Sequence, residues 1–113
     1  MKYIFQIKEN GTVLKVPVKG IDVGLDELQK AVGGFIEVVH TYLPNVVIIC
    51  DEEGKYKGYG DNSIATMLLP GKGTDYIAGD AVIMLEKGEE LIPFSDVRAA
   101  VLEMIIRAKS ERL

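Results

Sequence analysis

The chain has 113 residues, 48 % hydrophobic and 27 % charged, and carries a net charge of −4 from 13 basic and 17 acidic side chains. Those totals describe one globular domain, 1–113, long enough to bury about two-thirds of its unfolded surface, and they exclude a disordered or fibrous chain. The acidic balance and the lack of any basic run exclude a binder of long nucleic acid, which needs Lys and Arg to neutralise phosphates along one surface; a small nucleotide needs only one or two donors.

Tyr3 to Lys8 reads as a strand, Glu9-Asn10-Gly11-Thr12 as a turn, and Val13 to Val18 as a returning strand. Asn-Gly between two β-rich runs is a strong hairpin signal, and Pro17 assigns the second strand to an edge. Gly20 to Gly24 links to a helix over Leu25–Val32, where Leu25, Leu28 and Val32 share one face and Asp26 and Glu27 meet the positive end of the helix dipole. Gly33 and Gly34 stop the helix. A positive φ is expected at Gly34, which is structural along with Gly33. From Phe35 the pattern turns to strand, running to about Tyr42. After Pro44-Asn45, Val46 to Cys50 is apolar throughout, as in a strand covered on both faces.

Asp51-Glu52-Glu53-Gly54-Lys55 is a charged turn, followed by a glycine-punctuated segment to Asn62. Ser63 is expected to cap a short helix over Ile64–Leu69, and Gly71 to Asp75 to form a loop. Ala81 to Leu85 is a second fully apolar strand. The last helix runs from Ser95, its N-cap, to Arg112, with Phe94 as half of a hydrophobic staple. Val97, Val101, Met104, Ile105 and Ala108 form its apolar face, and Leu102 and Ile106 widen that face beyond what one sheet covers. Those two are the expected seam of a homo-oligomer, a dimer or higher. The fold class that follows is α+β: a mostly antiparallel sheet of about five strands, a short central helix and a long C-terminal helix.

Cys50 is the single cysteine, so no intrachain disulfide forms. With no signal-peptide pattern after Met1 and no stretch of ~20 apolar residues, a cytoplasmic protein free of the membrane is expected.

Three blocks carry a resemblance: Leu25, Leu28, Gln29, Val32, Gly33, Gly34, Ile36 and Glu37; then Glu52-Glu53-Gly54-Lys55 with Lys57-Gly58; then Gly79-Asp80-Ala81-Val82. Together they resemble a family of small proteins carrying a domain of unknown function, common in phages, prophages and plasmids. The resemblance implies a mobile-element origin, hence the host-cell cytoplasm if phage-encoded, and no established activity. Asp51 stands where that family usually has Asn, and only Asn62 remains of its proline-asparagine-arginine loop.

Catalytic signatures are scarce. His40 is the only histidine and lies in a strand, no zinc pattern exists, and Gly71-Lys72-Gly73-Thr74 lacks the first glycine of a phosphate loop. Asp51, Glu52 and Glu53 are explained by a solvated turn, so no metal and no cofactor are expected. Groups suited to binding remain. Tyr56, Tyr59 and Tyr76 lie in glycine-rich loops where a ring can stack on a base. Lys55, Lys57 and Lys72 can meet phosphate, and Asn62 can read a base edge or ribose. Lys55, Lys57, Tyr59, Asn62 and Tyr76 are the ligand-binding candidates. The leading expectation is a non-catalytic protein that sequesters a small nucleotide-derived signal of host antiviral defence. A protein-interaction module and a small hydrolase are the competing classes.

Overall fold

The computed structural model describes residues 1–20, 23–71, 73 and 75–112. The chain is an α+β domain. Strands β1 (Lys2–Ile7) and β2 (Val13–Val18) precede helix α1 (Leu25–Val32); strands β3 (Ile36–His40) and β4 (Val46–Asp51) precede a single-turn helix α2 (Ser63–Thr66). Strands β5 (Ala81–Lys87), β6 (Glu90–Ile92) and β7 (Phe94–Ser95) lead into the long helix α3 (Asp96–Ser110).

Every pairing is antiparallel, and the five main strands lie in the order β2-β1-β5-β4-β3. Pro17 is on β2, an outer strand, where its missing N–H costs no ladder bond. β1 and β5 pair only through Phe5–Ile7 and Ala81–Ile83. Beyond that they diverge, and the short β6 and β7 fill the fork, β6 on Leu85–Lys87 and β7 on Lys2–Tyr3. Neither short strand has an alternating apolar pattern, so the sequence shows five strands where the sheet has seven.

β4 and β5 read as unbroken apolar runs because both sheet faces are covered. Ile48, Cys50, Ala81, Ile83 and Leu85 point to the side of α2 and α3, while Val47, Ile49, Val82 and Met84 point to α1. Fully burying one such side chain contributes about 1.5–3 kcal/mol, so this pair of strands is the rigid centre of the molecule.

Three local expectations are corrected. The left-handed residue ending α1 is Gly33, with φ 94° and its N–H bonded to Gln29 O at 2.8 Å; Gly34 is not left-handed. The cap of α2 is Asn62, whose side chain accepts from Ala65 N, not Ser63. On α3, Ala99, Leu102 and Ile106 face the core, while Val97, Val101 and Met104 stand in solvent at 74 %, 51 % and 70 % exposure. The α3 sequence is apolar on both sides, and its spacing alone did not choose between them. Ser95 caps α3 as expected, accepting from Arg98 N at 3.4 Å.

Candidate functional site

β4 ends in a carboxylate. Asp51 continues a strand whose six residues are all buried, and its side chain is 1 % exposed. A charge so placed needs a partner, and the following turn supplies one. Asp51 Oδ1 accepts from Glu53 N at 2.9 Å, which closes the turn, and Lys57 returns to place Nζ 2.7 Å from Oδ2. Burial pushes the Asp51 carboxyl up, but the Lys57 hydrogen bond, the Glu53 N–H and the Tyr59 hydroxyl outweigh it and hold it below its ordinary value. The same contact raises Lys57.

Lys57 Nζ also donates to Gly33 O at 3.1 Å, setting an ammonium at the negative end of α1. This explains the second glycine. A Cβ on Gly34 would lie 2.7 Å from both Asp51 Oδ2 and Lys57 Nζ, so only glycine lets the ion pair pass beneath the helix–strand junction.

Tyr59 is held just as closely by backbone. A Cβ on Gly79 would be 2.5 Å from the ring, one on Gly33 2.9 Å from the hydroxyl, and one on Gly54 3.4 Å from Cδ2. Gly79 has φ 83°, a conformation costly for any other residue here. Around this ring the loop is stitched to β1 and β5. Gly60 N donates to Glu9 Oε1 at 2.5 Å, Gly79 N to Gly60 O at 2.9 Å, and Glu9 N to Asp80 Oδ1 at 2.8 Å, with Lys8 Nζ 3.4 Å from Asp80 Oδ2. A cleft of about 320 Å³ opens here, lined by Glu9, Lys30, Gly33, Tyr59, Gly79 and Asp80 among others. Glu9, Gly79 and Asp80 were not among the expected site residues; the only sequence signal for them is the Gly79-Asp80 pair itself.

The expected ligand contacts are divided by this arrangement. Lys57 and Tyr59 belong together, with Nζ 5.9 Å from the ring centroid. Lys55 and Tyr76 form a separate pair at 4.4 Å, where Lys55 Nζ bonds Asp75 Oδ1 at 2.5 Å beside a smaller hollow of about 230 Å³ that also contains Glu37 and Glu52. That hydrogen bond raises Lys55 and lowers Asp75. Asn62 is not available to a ligand. It is fully buried, with Nδ2 donating to Ile7 O at 2.8 Å and Gly79 O at 2.9 Å and Oδ1 capping α2. Tyr56 stands in solvent, and Lys72 lies outside the described residues.

Of the other reactive groups, the Cys50 thiol is pushed up to about 12 by burial and by neighbouring Glu37, which leaves it unreactive. His40 is exposed and bonded to Glu86 at 2.9 Å. No group of three His, Cys, Asp or Glu among the described residues is placed to hold a metal ion, and no helix among them is long and apolar enough to cross a membrane.

The three sequence blocks that are distant in the chain therefore meet at one corner: Gly33 and Gly34, the Asp51–Tyr59 turn, and Gly79-Asp80. The chain belongs to the family described as Domain of unknown function (DUF3846), which matches residues 3–105. No curated protein and no solved structure matches it.

Proposed function

We propose that the chain is a non-catalytic binding domain that takes up a nucleotide-derived molecule of nucleoside size in the cleft between Gly33, Tyr59 and Gly79. The observation that carries this reading is one cleft that joins residues far apart in the chain, with Gly33, the closely held Tyr59 ring and Gly79 in its wall and Glu9, Lys30 and Asp80 at its rim. A volume of about 320 Å³ suits a small ligand. The N–H groups of Gly33 and Gly79 are bonded within the fold, so the glycines serve a ligand by close approach of the backbone and by the second lone pair of each carbonyl.

The charge of the corner narrows the ligand class. Lys57 is already paired with Asp51, and Lys8 with Asp80, while Glu9 shares the rim with Lys30. No surplus of positive charge is left for a polyphosphate, so the ligand carries at most one phosphate or a phosphodiester. Sequestration of a host-defence signal is the biological form this proposal takes if the mobile-element origin implied by the sequence resemblance holds.

The test is a thermal-shift panel of adenosine, 3′,5′-cyclic AMP, 3′,5′-cyclic GMP and ATP, followed by chromatography of the recovered compound. Stabilisation by a cyclic mononucleotide, no gain with ATP, and intact release are expected. Lys30→Glu should weaken that binding and Lys55→Ala should leave it unchanged. No shift with any compound overturns the reading, and a cleaved product replaces it with a hydrolase.

A further inference from the structure

The opposite end of the sheet carries a different surface. The β3–β4 turn, the far end of β5 and the start of α3 enclose an apolar groove of about 320 Å³, with Leu43, Phe94, Val97, Val101, Leu102 and Ile105 on its walls. Beside it runs the solvent face of α3. Its apolar residues are Val97, Val101, Met104 and Ala108, separated by four, three and four positions. That is the spacing of a helix–helix seam, and none of the four is charged.

We infer that a second copy of this chain docks here, with the two α3 helices antiparallel about a two-fold axis between Val101 and Met104. The seam is complementary to itself in that orientation. Val101 meets the second copy's Met104, Met104 meets its Val101, and Val97 meets its Ala108, so each layer joins a larger side chain to a smaller or equal one. The flanks agree: Arg98 falls beside the second copy's Ile105 and Arg107 beside its Ala100, so no like charges meet and the arginine stems extend the apolar cover. Methionine is flexible enough to enter the groove next to Val101, which gives the cavity an occupant. A seam of this length covers roughly a few hundred Å² per chain, below the ~800 Å² of a standard interface. The dimer is therefore a weak one whose population depends on concentration. It stands apart from the ligand reading, since groove and cleft lie at opposite ends of β4.

Sedimentation velocity of the full chain from low to high micromolar concentration tests this. The parent should pass from monomer to dimer. Val101→Glu and Met104→Lys should each remain monomeric, and at low micromolar concentration, where the parent is monomeric too, their melting curves should match the parent's because both side chains are largely exposed. Mixing the two variants should restore a dimer, since residue 101 of one chain then faces residue 104 of the other as an ion pair. A parent that stays monomeric overturns the proposal. So does a Val101→Glu variant that still dimerises, which would point to pairing through the outer strand β3, and so does a mixture that fails to reassociate.

Discussion

Where β4 finishes, a buried carboxylate, a lysine, a tyrosine and several glycines meet, with their polar groups hydrogen-bonded to one another. Where β4 begins, Leu43, Phe94, Val97 and Val101 line an open groove with few polar atoms. The first end is held by direction, because hydrogen bonds and close backbone contacts tolerate little displacement. The second is held by area alone, and area can be supplied by another molecule. Substitutions at the first end therefore act on folding, whereas those at the second act on association.

The largest effects expected on this contrast are at Asn62 and Gly34. Asn62→Ala removes three hydrogen bonds inside the core, a loss of roughly 2–4 kcal/mol. Gly34→Val drives a branched side chain into the Asp51–Lys57 pair and should cost at least about 2 kcal/mol. For a domain of total stability on the order of 5–15 kcal/mol, urea denaturation resolves both. By contrast, Met104→Lys at the apolar end should leave the same curve in place at a concentration where the parent is monomeric. If Gly34→Val melts like the parent, the corner is not held by close contact.

Acid should separate the two ends next. The Asp51 carboxyl titrates below its ordinary value of 3.8 in the folded chain, so its share of stability is fully present above that value and is lost as pH falls through the lower, folded one. Lys57 is raised above 10.5, so its share is present below that value and disappears as pH rises through the higher one. Denaturation midpoints measured from pH 7 to pH 2 should fall less steeply for Asp51→Asn than for the parent. Equal slopes would remove Asp51 from the acid limb.

The legible parts of the sequence are those whose signal is local. The Asn-Gly hairpin, the two unbroken strands, the Ser95 cap and the glycine stop of α1 each depend on residues within a few positions, and each is found. The polar corner was legible only in pieces. Glu9, Asp51, Lys57 and Gly79 are brought together by antiparallel register, and no spacing in the chain announces that. Asn62 was read as a ligand contact because it sits among loop residues; burial turned it into a core pin. On α3, Leu102 and Val101 are adjacent and equally apolar, and only the packed sheet decides which faces inward.

Lys55 and Lys57 give the smallest and finest test. They are two positions apart in one turn, each bonded to an aspartate and each near a tyrosine ring. Lys57 meets a carboxylate that is 1 % exposed, whereas the Asp75 carboxylate bonded to Lys55 is 65 % exposed. A solvent-exposed pair gains little, because water and salt screen it and two long side chains must be ordered to form it. Removing the partner of a buried charge leaves that charge without compensation. Lys57→Met should therefore lower the melting temperature clearly, in low salt and in 1 M NaCl alike. Lys55→Met should produce a change within experimental scatter, and whatever small difference appears in low salt should vanish in high salt. Equal losses at both positions would mean that burial of Asp51 does not distinguish the pairs, and the corner would then be an ordinary charged turn.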